Sequence, residues 1–241
     1  SGREALEAMH RAYAGRWYTT LTFVQRTSRK DAQGRDTVEN WFESLRHTSA
    51  GGTELRIDRG TLADGNGVLY TARRTRVFRA GALVADREGG NALLPLIEGV
   101  YLQPVGRTID ELAPTGVDWS RPVIEGRWEQ RPVWILGASS PRDTRSPQVW
   151  VDVERKVVVR ALLVPVPGAP FMDVRLGRFV PLGAGWLGTR CEFLVDGRLD
   201  QLEEYEDWKA GVELAPALFE PATFGTAEHW AAGTRTRKDG G

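Results

Sequence analysis

The chain has 241 residues, with 32 basic and 32 acidic side chains and a formal charge of zero. That balance argues against nucleic-acid binding, which needs a basic stripe or patch, and no run approaches the roughly 20 apolar residues of a membrane helix. The single cysteine, Cys191, excludes an intramolecular disulfide. A chain of this size buries roughly 75% of its unfolded surface and needs no such staple.

Residues 1 to 14 read as a helix. Ser1 and Glu4 have capping-box spacing, and Leu6, Met9 and Tyr13 share a face before Gly15. His10 lies near that face and is read as a packed helix residue. Arg16 to Thr27 then alternates, with Trp17, Leu21 and Phe23 on one side and Tyr18, Thr20, Thr22 and Val24 on the other. Aromatic and β-branched residues at period two predict a strand. A turn at Asp31-Ala32-Gln33-Gly34 leads to a second strand, Asp36 to Arg46, with Trp41, Glu43 and Leu45 alternating against Val38, Asn40 and Phe42. Shorter strands fit Glu54 to Asp58, Val68 to Ala72 and Arg76 to Arg79.

The pattern changes at Ala92 to Leu102. Leu93, Leu94, Leu96 and Ile97 surround Pro95 with little polar relief, which predicts a short apolar helical or irregular segment. Thr108 and Glu111 suggest a second capping box. From Val123 strands return. Hairpins are expected around Gln130-Arg131 and Glu154-Arg155. Val164 to Pro170 holds three prolines and is excluded from the sheet. Phe171 to Val180, Thr189 to Val195 and Arg198 to Tyr205 complete the strands, with Asp196-Gly197 a strong hairpin signal. The count is about ten or eleven strands joined by tight turns, hence antiparallel. The fold class is mainly β, of the α+β kind. Residues 1–233 read as one domain and 234–241 as a polar, disordered tail.

The search for chemistry returns little. Gly183-Ala184-Gly185-Trp186-Leu187-Gly188 matches G-x-G-x-x-G, but a strand follows where a dinucleotide site requires a helix. It reads as a hairpin loop. No G-x-S-x-G, Walker loop or H-E-x-x-H is present. His10, His47 and His229 fall in three separate regions. Glu203, Glu204, Glu206 and Asp207 read as a solvated face. Cys191, in an apolar run, reads as a buried strand residue. No metal, cofactor or enzymatic activity is expected. Nine tryptophans remain. They either fill the core of a flat sheet or line the concave side of one that curls, as large sheets do.

The order of elements is suggestive. A helix leads into a Trp-bearing strand, and an apolar insert lies mid-chain. Then come Gln148-Val149-Trp150-Val151-Asp152, Gly183-Ala184-Gly185-Trp186-Leu187 and Asp196-Gly197-Arg198. The end reads Glu204-Tyr205 and Leu218-Phe219-Glu220-Pro221-Ala222-Thr223-Phe224. Over about residues 5 to 224 this resembles the outer-membrane lipoprotein-sorting proteins of the LolA/LolB type. The resemblance implies a strongly curved, incomplete antiparallel barrel with short helices as a lid over an apolar cavity. It implies a non-enzymatic, monomeric carrier of lipid or lipoprotein acyl chains, without cofactor. The location implied is the periplasm or outer membrane, with a membrane-bound donor or acceptor as partner. On that reading Trp17, Leu21, Phe23, Trp41 and Leu45 are the candidate wall, and Leu93, Leu94, Leu96 and Ile97 the candidate lid. Two alternatives stay open: the opposite sheet face could be the concave one, and the lid could be an ordinary core plug. A cell-envelope sensor or protein-interaction domain on the same scaffold is the competing function, with a hydrolase a distant third.

Overall fold

A computed structural model describes residues 1–31 and 33–232. Helix α1 spans Gly2–Tyr13, and Ser1 and Glu4 form the reciprocal capping box that their spacing predicted. Strands β1 (Thr20–Lys30), β2 (Asp36–Thr48), β3 (Gly52–Arg59), β4 (Gly67–Tyr70), β5 (Arg74–Arg79) and β6 (Ala82–Glu88) follow as a meander. A π-helical turn, Pro95–Gly99, runs into α2 (Val100–Leu102) and α3 (Val105–Leu112). The chain then lays down β7 (Ile124–Trp128), β8 (Arg131–Leu136), β9 (Gln148–Asp152) and β10 (Val158–Leu163). Strands β11 (Met172–Leu182), β12 (Gly185–Val195) and β13 (Arg198–Ala210) end the sheet.

All thirteen strands belong to one antiparallel sheet in the order β6-β5-β4-β3-β2-β1-β13-β12-β11-β10-β9-β8-β7. Only β1 and β13 are neighbours in space without being neighbours in sequence. The chain therefore builds one wing outward from the centre, crosses over, and builds the other wing back inward. Strands β6 and β7 are the two edges. The helical segment between them has to span the mouth of a curled sheet, and this topology sets it as a cover. Register shifts between Thr22 and Val24, Val77 and Phe78, Val158 and Arg160, and Phe193 and Leu194 add the bulges that bend strands.

Most of the predicted pattern holds. Asp196 and Gly197 take φ of 50° and 74°, as the two-residue hairpin requires. Gly183 and Ala184 are a hairpin turn with strand on both sides. Three expectations are corrected. The hairpin after β7 turns at Glu129-Gln130, one residue earlier, with φ of 47° and 65°. Strand β6 went unpredicted, because Leu83 and Val84 are about half exposed on an edge and no alternation marks them. Thr108 and Glu111 lie inside α3 instead of capping it; both accept hydrogen bonds from the buried Gln103 amide, at 3.3 and 2.7 Å. The tail predicted at 234–241 falls outside the described residues.

Two cores result. The larger lies between the concave face and the helices, and it contains Leu6, Met9, Leu21, Leu94, Leu96 and Tyr101. The smaller lies on the outer face of β4 and β5, where Leu218, Phe219 and Phe224 of the C-terminal segment pack on Leu69 and Phe78. Arg56 locks that segment in place. It forms a bidentate pair with Asp58 at 2.7 Å and donates to the carbonyl oxygens of Leu218 and Phe224 at 3.0 and 2.7 Å. His229 Nε2 closes the network on Asp58 at 3.1 Å.

Candidate functional site

Odd-numbered residues of β1 and β2 face the concavity, as the wall reading assumed. Between this face and the helical cover lies a partly open cavity of about 110 Å³. Trp17, Leu21, Phe23 and Leu45 line it, as do Leu93, Leu94 and Ile97 of the cover. Trp41 lines a second pocket of about 230 Å³ instead. Leu96 lines neither; it is fully buried in the core between cover and sheet. The far wall comes from residues that the sequence did not single out, among them Leu55, Ile57, Leu176, Leu187 and Phe193.

The cover is fastened by Glu98. Its carboxylate accepts from Trp17 Nε1 at 2.6 Å, and the Tyr18 hydroxyl lies 3.0 Å from its other oxygen. The same hydroxyl stands 3.3 Å from the Trp186 carbonyl oxygen. Burial pushes the Glu98 pKa up to about 8, against the pull of these hydrogen bonds. The group therefore sits mostly protonated at neutral pH, and the Tyr18 hydroxyl has two acceptors within reach, the Glu98 carboxyl and the Trp186 carbonyl oxygen. Trp17 also stacks on Tyr101, with ring centres 3.8 Å apart. This clasp was invisible in the sequence, because its partners lie about eighty residues apart.

Gly185 is what admits the Trp17 ring. A Cβ there would stand 2.5 Å from the indole. Gly185→Ala is expected to displace Trp17, break its bond to Glu98 and cost about 1–3 kcal/mol, read as a lower midpoint in urea denaturation. An unchanged midpoint would mean the clasp does not hold the cover.

The cavity floor carries a polar stripe. Gln25 and Thr27 of β1, Glu43 of β2, and Glu203 and Tyr205 of β13 share the concave face. Gln25 Nε2 donates to Thr27 Oγ1 at 2.9 Å, and the Tyr205 hydroxyl donates to Glu203 at 2.7 Å. Glu43 is 3% exposed, and its Oε1 has no partner among the described residues. Burial, and then the proximity of Glu203, raise the Glu43 pKa well above the carboxylate range. Burial likewise raises that of Glu203. The solvated-face expectation thus fails for Glu203, which is buried, and holds for Glu206 and Asp207, which are exposed; Glu204 is half-buried. Glu204 points the other way, to Arg26, Arg178 and Arg190.

The three histidines do not meet. His10 donates to the Val100 carbonyl oxygen at 3.0 Å, His47 bonds Thr53, and His229 bonds Asp58 on the outer face. None lines the cavity. Cys191 is buried, and burial raises its thiol pKa. Among the described residues no group of His, Cys, Asp and Glu is arranged to hold a metal ion. Among the described residues no helix is long and apolar enough to cross a membrane.

The curved, unclosed antiparallel sheet with short helices over it is the fold that the sequence resemblance implied, and solved structures share it. A domain assigned to outer-membrane lipoprotein sorting, from Vibrio parahaemolyticus, superposes at TM-score 0.60 with 11% identity, over 93% of this chain and 100% of its own. A DUF1329 family protein from Desulfovibrio piger superposes at 0.58 with 13% identity, over 91% of this chain and 95% of its own. A LolA superfamily protein from Nitrosomonas europaea reaches 0.49, at 12% identity and over 91% and 97% of the two chains. The first two carry the assignment of the fold. No protein-family model matches the sequence, and no curated protein does.

Proposed function

We propose that this protein is a carrier or binding protein for lipoprotein acyl chains or other hydrophobic ligands, working without enzymatic chemistry in the periplasm or at the outer membrane. The observation that carries this reading is the apolar chamber roofed by Leu93, Leu94 and Ile97 and floored by the concave sheet. The shared fold with a lipoprotein-sorting domain supports it.

Each methylene taken out of water is worth about 0.8 kcal/mol, but a membrane supplies the same burial. A carrier therefore needs a chamber that matches the membrane, together with a cover that opens. The chamber of about 110 Å³ is smaller than the roughly 150 Å³ cavity known to hold benzene. An acyl chain thus enters by displacing the cover, and the side chains that fill the space in the closed state retreat with it.

The test is titration of an environment-sensitive fluorescent fatty acid into the native protein and into Leu55→Trp, which fills the chamber from β3. Saturable binding by the native protein, weakened about tenfold in the variant, is expected. Equal binding by both would place the ligand elsewhere.

A further inference from the structure

The main chamber adjoins the second pocket. Ile57, Asn91, Leu93, Phe193 and Glu203 line both. Their chemistry differs: the first is mostly apolar, and the second is bordered by Arg29, Arg59, Trp41 and Tyr70. Arg29 is paired with Glu39 at 3.4 Å. Arg59 is half-buried, stacked over the Trp41 ring at 4.4 Å, and its Nε is buried without a hydrogen-bond partner among the described residues. The second orphan nearby is Glu43 Oε1. Trp41 opposes Arg59 and Glu43 opposes Ile57 across β2 and β3, so Arg59 and Glu43 are diagonal neighbours on one face. Glu203 accepts from Gln201 and Tyr205 and makes no direct ion pair with Arg59, although the Arg59 charge acts on it from a distance.

A buried guanidinium N–H without an acceptor is costly, and so is a buried carboxyl oxygen without a partner; Arg59 and Glu43 attract each other but make no direct contact. The two lie where an apolar chamber meets a polar one, the geometry an amphiphile fills.

Resting on the carrier reading, we infer that the ligand is an anionic amphiphile, its chain in the apolar chamber and its carboxylate or phosphate head on Arg59 beside Glu43. One head-group oxygen accepts from Arg59 Nε, and another accepts from the Glu43 carboxyl. Burial lowers the Arg59 pKa from its ordinary value, a penalty that a bound anion relieves. Burial, and then the proximity of Glu203, raise the Glu43 pKa against the pull of Arg59, which favours the protonated, donating form.

The experiment compares hexadecanoate, hexadecyl phosphate and 1-hexadecanol as displacers of a neutral fluorescent acyl probe, for the native protein, Arg59→Gln and Arg59→Lys. At least one anion is expected to bind about tenfold tighter than the alcohol, and the better of the two identifies the head group. Arg59→Gln should erase the preference while leaving hexadecanol binding in place, and Arg59→Lys should keep it. Equal affinity of the native protein for all three, or a preference that survives Arg59→Gln, overturns the inference and leaves the carrier reading intact. Failure of all three to bind contradicts the carrier reading itself.

Discussion

Arg56→Met is expected to lower stability by about 3–5 kcal/mol, the cost of leaving one partner of a buried ion pair alone. The variant strands the Asp58 carboxylate, which is 3% exposed, with only His229 beside it. It also frees the carbonyl oxygens of Leu218 and Phe224 and removes the cation from the Phe224 ring, 4.0 Å away. Residues from Leu218 to His229 should therefore lose hydrogen-exchange protection before the sheet does. Thermal denaturation should show a fall on the order of 10 °C for a chain of this length. The double variant Arg56→Met, Asp58→Leu should recover part of the loss, because it leaves no uncompensated charge. Burial alone would raise the Asp58 pKa, but the hydrogen bonds from Arg56 and His229 outweigh it and hold the pKa below its ordinary value. The stability that Asp58 contributes is then present above the unfolded pKa and lost as pH falls through the folded one. A double variant no more stable than the single one would show that the network acts through packing and not through charge.

Glu98→Gln should flatten the dependence of stability on pH between about 4.5 and 8. A carboxyl with a pKa of 4.5 unfolded and about 8 folded holds its proton more tightly in the native state. Its contribution is complete below pH 4.5 and declines as pH rises, by about 1.4 kcal/mol per unit, until about pH 8. Glutamine cannot titrate, yet it keeps an oxygen for Trp17 and gives an N–H to Tyr18. Urea denaturation between pH 5 and 9 should therefore show a shallower slope in the variant. Some slope should remain, since Glu43 and Glu203 are shifted in the same direction. Identical slopes would mean that Glu98 is ionised in the closed state. The same linkage disfavours the closed arrangement as pH rises, because an ionised Glu98 buries a charge whose desolvation outweighs the hydrogen bonds it accepts from Trp17 and Tyr18.

What the sequence revealed follows from how local each signal is. The capping box of α1, the alternation in β1 and β2, and the Asp196-Gly197 turn are short-range, and each is where its residues indicated. Strand β6 buries almost nothing on either side, so no period could announce it. In the site, Leu21, Phe23 and Leu45 were readable because a strand shows every second residue to one face; Trp17 precedes β1, and it and Tyr18 both line the cavity, so the alternation predicted to part them does not hold there. The same period puts Glu43 between Trp41 and Leu45, and Glu203 beside Tyr205, so both buried carboxyls were within reach of that rule. A preference for solvated charge concealed Glu203. The split between Leu93, Leu94 and Ile97 on the cavity and Leu96 in the core depends on a π-helical turn, which helical periodicity does not describe. The clasp from Glu98 to Trp17, and the unpaired Arg59, depend on pairings across the sheet and the cover that only the folded chain brings together.

Native mass spectrometry of the protein recovered from intact cells, without detergent, tests most directly whether the concave side of the sheet holds a hydrophobic guest. A population heavier than the bare chain by the mass of an acyl-bearing lipid is expected, and it should disappear on extraction with organic solvent. Recovery of the bare chain alone, together with failure to take up a fluorescent fatty acid, would contradict the carrier reading.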